Sequence, residues 1–285
     1  MFETFGRSWQ LVKASWSVLQ ADKELLWFPV LSGVAMIAVS IALFIPTVAF
    51  GLFTATMSDE IAQVMGFIGL FIYYLITYTV GIYFNTALIG AAMIRLDGGD
   101  PTFKDGIEIA NARLSKIVMF AAMSATVGVI LRMLQERGGV VGNIVSWLGG
   151  MAWSLATFLV IPVLVVHDLS PWDAVKRSTS LLRETWGEQI TGSWSIGGVF
   201  FLLYIPVILI GGALIFAGVA AESMTMIVGA IVLTILAMIL LGIIQGALSG
   251  VYQAALYRFA ETGAAPDNFD IDLIRGAFKP KRKRG

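Results

Sequence analysis

Six stretches of the chain carry no charged side chain and no histidine: residues 25–58, 61–94, 117–131, 138–166, 190–221 and 223–257. Five of them exceed the roughly 20 residues that cross about 30 Å of hydrocarbon as a helix. Lys116 and Arg132 clip the third to 15 residues. Both side chains are long enough to carry their charge out to the headgroups, so a span over about 114–134 is expected. The pattern predicts an all-α, polytopic membrane bundle of six transmembrane helices.

The connections alternate in character. On one side the turns are short, near 58–60, 135–139 and 221–224, which groups the helices into three hairpins. On the other side the connections are longer, and apolar residues recur there every three or four positions, the period of a one-faced helix. Phe2, Phe5, Trp9, Val12, Trp16 and Leu19 make such a stripe ahead of the first hairpin. Trp172, Val175, Thr179, Leu182, Trp186 and Ile190 repeat it ahead of the third, and Phe103, Ile107, Ala110, Leu114 and Ile117 give a weaker version ahead of the second. Helices of this kind lie in the membrane interface. They cuff the ends of the bundle, sense lipid packing or dock a partner; the stripe itself does not choose.

Three helix ends share one further pattern: AAMIRLDGGDPTF from Ala91, PVLVVHDLSPW from Pro162 and AALYRFAETGAAPDNF from Ala254. Each has a basic residue or histidine (Arg95, His167, Arg258), then an acid (Asp97, Asp168, Glu261) and a proline (Pro101, Pro171, Pro266). An aromatic follows within three residues: Phe103, Trp172 or Phe269. The chain therefore reads as one membrane domain, 1–285, with approximate repeats at 1–97, 98–168 and 169–261 and a cytoplasmic tail at 262–285. The pitch is uneven, since the prolines lie 70 and then 95 residues apart. The physical job of these elbows is an abrupt exit and re-entry. A cation near the last carbonyls suits the helix dipole, Gly98, Gly99 and Gly263 let the backbone leave the helix, and Ser170 with Asp173 spells a capping box ahead of Pro171. In the first elbow either Asp100, or Thr102 with Asp105, has the right chemistry to cap.

Composition agrees with the spans: 58% of the residues are hydrophobic and 13% charged, about half the charge of a soluble domain. Net charge is zero, so its distribution carries the information. With a cytoplasmic N-terminus, three Lys or Arg precede the first span, four follow the second, three follow the fourth and seven follow the sixth. Only Arg132 and Arg137 fall outside. Both termini are thus expected in the cytoplasm, and the terminal KPKRKRG adds a short run suited to anionic lipid. No signal peptide is evident, and the absence of cysteine excludes disulfides and thiol chemistry.

Most catalytic chemistry finds no footing. Gly98, Gly99 and Lys104 lack the spacing of a phosphate loop, and His167 is the sole histidine, so a multi-histidine metal site cannot form within the chain. No metal, cofactor or nucleic acid is expected. A membrane enzyme would have to be built on His167 and Asp168. No ionisable side chain lies mid-span, where ion-coupled carriers commonly keep one. The candidate lining of an internal cavity is Tyr83, Asn85, Gln245, Ser249 and Gln253; each also suits a plain interhelical hydrogen bond. Pro46, Pro162 and Pro206 should bend their helices, and Gly246 with Gly250 permits a close helix crossing.

The segments FGRSWQLVKASWSVLQADKELLWFPVLSG, RLDGGDPTFKDG and WDAVKRSTSLLRETWG resemble a prokaryotic family of six-helix integral membrane proteins of unknown function. More distantly the chain is similar to the membrane domain that accompanies glycerophosphodiester phosphodiesterases. That resemblance implies a membrane architecture in the prokaryotic cytoplasmic (inner) membrane and carries over no catalytic residue. The leading expectation is a non-enzymatic scaffold or accessory factor that contacts membrane lipids, including anionic ones, and acts as a homo-oligomer or with a membrane partner. The alternative is a transporter or channel for a lipid or small amphiphile.

Overall fold

A computed structural model describes residues 2–54, 56–186 and 196–275. Ile190 of the third stripe and the basic run 279–284 lie outside the described residues. Every regular element among them is helical: α1 (Phe2–Ala21), a short 3-10 turn (Lys23–Leu26), α2 (Trp27–Thr54), α3 (Asp59–Leu96), α4 (Phe103–Ala112), α5 (Leu114–Arg137), α6 (Gly139–Ala156), α7 (Val160–Val166), α8 (Pro171–Trp186), α9 (Ile196–Ala220), α10 (Met224–Thr262) and α11 (Ile271–Arg275). Six segments are long and apolar enough to cross a membrane: Lys23–Thr54, α3, α5, Gly139–Val166, α9 and α10. The protein is a multi-pass membrane protein. At 1.5 Å per residue, the 39 residues of α10 extend roughly 58 Å, well past the hydrocarbon thickness.

α3 is the hub, packing against α2, α4, α5, α7 and α10. α9 lies along α10, and α6 along α5. Burial is concentrated at one end of these pairs. Thr86 to Ala92 of α3 are buried without interruption, and so are Ala247, Leu248, Val251, Ala255 and Leu256 of α10. Ile117 and Phe120 of α5, Val160 to Leu164 of α7, and one face each of α1 and α8 complete the core. Away from it the helices show their apolar side chains, as with Ile45 at 75% and Val140 at 77% exposure. A surface of that kind would be an aggregation liability in water; in a bilayer it is what the lipid tails cover.

The expected stripe on α1 is buried in part. Val12 and Leu19 are buried, Trp9 and Trp16 are 40% and 39% exposed, and Ser8, Leu11, Ser15 and Val18 shift the buried face to one side of the stripe. Small and branched side chains let α1 lie close against α9 and α10, and the indoles are left at its edge. On α8, Val175, Leu182 and Trp186 of the stripe are buried together with Ala174, Ser178 and Leu181, while Trp172, at 58%, and Thr179 are exposed.

The connectors are set by caps. Thr102 and Asp105 close a capping box at the start of α4: the Thr102 backbone N–H donates to Asp105 Oδ2 at 2.8 Å, and the Asp105 N–H donates to Thr102 Oγ1 at 3.3 Å. This decides between the two caps that the sequence left open. Glu24 Oε2 also accepts from the Phe103 N–H at 2.6 Å, tying α4 to the start of the first span. Gly98 (φ 86°) and Gly263 (φ 72°) take the left-handed conformation that ends α3 and α10. Gly106 permits a close approach: a β-carbon there would lie 2.4 Å from Phe28 Cζ and 2.7 Å from the Ala87 carbonyl oxygen.

The caps carry a pH signature. The backbone and hydroxyl of Thr102 hold the Asp105 carboxyl below the usual range, and the Ser170 hydroxyl with Lys176 does so for Asp173. A carboxylate whose folded pKa is depressed contributes stability above its unfolded value of about 3.9 and loses it as the pH falls through the folded value. Thr102→Ala should lower stability by about 1 kcal/mol and weaken the acid dependence. Unfolding of the detergent-solubilised protein followed across the acid range measures both effects.

Candidate functional site

The three elbows meet one another. Arg258, from the third elbow, places Nη1 2.5 Å from Asp97 Oδ1 of the first and donates to the Leu96 carbonyl at the end of α3. Glu261, one turn on, accepts two hydrogen bonds from Arg177 of α8 at 2.9 and 3.0 Å. His167 Nε2, from the second elbow, lies 3.8 Å from Glu261 Oε1. Asp168 pairs with Arg113 at 3.2 Å and Lys116 at 3.7 Å, and Arg113 also donates to the Val165 carbonyl near the end of α7. Arg95 stays local, donating to the Gly99 carbonyl at 3.2 Å and lying 3.5 Å from Asp100. Pro101 and Pro171 are buried where the chain turns back. The C-terminal carbonyls of α3 and α7 thus receive guanidinium groups, the sign the helix dipole favours.

A second feature sits within the membrane-crossing segments. A continuous helix over 138–166, bent at Pro162, was expected; instead α6 stops at Ala156 and α7 begins at Val160. Pro162 has no N–H, so the Phe158 carbonyl four residues before it loses its helical donor. The intervening turn is tight, with Phe158 N–H on Leu155 O at 3.2 Å and Val160 N–H on Thr157 O at 3.0 Å. Two side chains from other helices serve the opened backbone. Gln253 Nε2 of α10 donates to the Phe158 carbonyl, and the Leu159 N–H donates to Ser178 Oγ of α8 at 3.1 Å. Irregular backbone at membrane depth persists only where protein buries it, and Ser178 is fully buried.

The candidate lining residues separate into roles. Asn85 and Ser249 line a laterally open groove of about 540 Å³ between α2, α3 and α10. They also line a smaller space of about 130 Å³ toward Phe158 and Ile196, where Gln253 joins them. Tyr83 points to α4 and donates to Asn111 Oδ1 at 2.8 Å. Gln245 is half-buried on α10 and lines neither space. His167 Nε2 is buried without a hydrogen bond, beyond hydrogen-bond reach of Glu261, whose oxygens Arg177 already engages.

Residues 64–267 match a family described as a family of unknown function, DUF6159. The chain belongs to that family. The DUF6159 match begins inside α3 and ends just past Pro266, so it takes in the first two elbows, the third through Pro266, the break before Pro162, and Asn85 and Ser249 of the groove. No curated protein matches the chain.

Sequence reasoning passed over Arg113, Arg177 and Ser178. The two arginines sit on connector helices and read as solvated charge, and Ser178 reads as a neutral helix position. The usable signal was Pro162 itself, because a proline within a span implies an orphan carbonyl four residues earlier and therefore a donor elsewhere. Gln253→Leu should destabilise the DUF6159 protein by about 1–3 kcal/mol. Pro162→Ala restores an N–H to that carbonyl, so the cost of Gln253→Leu should fall in its background. A double-mutant cycle on unfolding midpoints measures this; equal costs in both backgrounds would mean that the two residues do not share the carbonyl.

Proposed function

We propose that this protein is a non-enzymatic scaffold of the prokaryotic cytoplasmic membrane, built as three helix pairs whose elbows bond to one another at the cytoplasmic headgroups. The observation that carries this reading is the joining of the elbows and their connector helices through Arg258 with Asp97, Arg177 with Glu261 and Arg113 with Asp168. Such a base holds the helix pairs together on one side, and their apolar halves are left for lipid or for partner helices. Both termini are read as cytoplasmic, because all lysines and arginines other than Arg132 and Arg137 belong to the elbow side or the termini. The exposed indoles of Trp9, Trp16, Trp27 and Trp172 suit a position among the headgroups. α1, α4 and α8 then serve as interfacial cuffs, one ahead of each pair.

A role in lipid biology draws on the distant resemblance to the membrane domain of glycerophosphodiester phosphodiesterases and on the laterally open groove. The same groove supports a second reading, transport of a lipid or small amphiphile. Weighing against it, the packed base at Leu88, Ala92, Leu164 and Leu256 leaves a moving solute no evident exit on that side.

A scaffold has partners. Crosslinking in native membranes, followed by purification, should recover a stable oligomer or a second membrane protein in fixed proportion. Recovery of the monomer alone, with no partner crosslinked, would contradict the scaffold reading.

A further inference from the structure

We infer that the groove between α2, α3 and α10 is a lipid site that holds one acyl chain, with the glycerol ester of that chain against Asn85 and Ser249. The inference rests on the membrane reading above but is independent of the scaffold role. Along its length the groove is walled by Pro29 and Met36 of α2, Phe84 and Leu88 of α3, and Ile239 and Ile243 of α10. Three lining side chains can hydrogen-bond: Ser249 at the end nearest the elbows, and Asn85 and Ser32 about one turn further in. A β-carbon on Gly246 would lie 3.4 Å from Pro29 Cβ, and Ser249 follows Gly246 by less than one turn, so this end stands level with the start of α2. Trp27, beside Pro29, is 57% exposed and marks the depth at which indole rings and lipid headgroups meet. The amide of Asn85 and the hydroxyl of Ser249 therefore lie where ester carbonyls lie, and both can donate to one. The groove then runs away from the elbows toward Met36, Gly81 and Ile239, the direction an acyl tail takes into the bilayer.

Size decides between a lipid chain and a partner helix. The lining runs roughly 10 Å on α2 (Pro29 to Met36) and roughly 15 Å on α10 (Ile239 to Ser249), so about 540 Å³ corresponds to a cross-section of about 36–54 Å². A helix roughly 10 Å across needs about 80 Å². A single hydrocarbon chain is far thinner, and it brings no backbone polar groups that need partners.

The test uses the full chain in phosphatidylethanolamine nanodiscs doped with a phosphatidylglycerol that carries a photoactivatable diazirine on its second acyl chain. Labelling should concentrate on peptides of α2, α3 and α10 that line the groove, above that on the open α9 face around Ile208, which is 54% exposed. A β-carbon added at Gly33 or Gly81 meets nothing within 4 Å, so Gly33→Leu with Gly81→Leu should extend side chains into the groove. Labelling of the groove peptides in that variant should fall about tenfold, while labelling at α9 and the thermal midpoint stay unchanged. Uniform labelling of groove and α9 face, groove labelling unaltered by the filled variant, or capture of a second copy's helix in the groove would each overturn the inference. None of these outcomes bears on whether crosslinking recovers a scaffold partner, so the two proposals fail separately.

Discussion

A peptide group inside hydrocarbon cannot turn to water. Each place where a membrane helix stops or opens must therefore be met by another part of the protein, and this constraint organises the molecule. α3 ends on the guanidinium of Arg258, α7 ends beside that of Arg113, and the opening before Pro162 is closed by Gln253 and Ser178. In each case the donor or acceptor comes from a different helix. The groups that satisfy the breaks are thus the same groups that hold the bundle together.

Magnitudes show why this outweighs the ion pairs taken alone. The pairs at the elbows are partly exposed, with Asp97 at 65% and Asp168 at 76% of their side-chain surface, and pairs of that kind contribute about 0–1 kcal/mol each. A buried backbone group left without a partner costs about 1–3 kcal/mol. The Leu159 N–H, bonded to the buried Ser178, is such a buried group; at the elbows the part-buried Leu96 and Val165 carbonyls act together with the carboxylates to hold Arg258 and Arg113. Away from the elbows α3 and α5 stay joined, with the Tyr74 ring close against Gly128 and Arg137 donating to Gln63 at 2.8 Å, whereas α9 and the outer half of α10 pack mainly on each other.

Much of the architecture was legible in the sequence because it depends on local rules. Uncharged length marks the six spans, a Thr and an Asp three apart mark the start of α4, and Gly98 and Gly263 mark helix ends. The elbows were legible as a repeated pattern, but not as partners of one another. Arg258 and Asp97 are 161 residues apart, and no periodicity connects them. The buried face of α1 takes in Val12 and Leu19 of the stripe but shifts from the tryptophans to Ser8, Ser15 and Val18, because close packing against α9 and α10 favours small and branched side chains. Pro162 implies a disturbed helix, and its partners Gln253 and Ser178 lie on other helices that no local pattern connects to it.

The most direct measurement exploits the absence of cysteine in the chain. Paired cysteines introduced as Asp97→Cys with Arg258→Cys, and as Arg177→Cys with Glu261→Cys, are treated in native membranes with a short bifunctional thiol reagent. Gln135→Cys with Arg258→Cys serves as a control across the two ends. If the elbows form one bonded base, both elbow pairs crosslink within a single chain and the control does not. Failure of both elbow pairs, or crosslinks only between separate chains, would contradict a base made by the three elbows together.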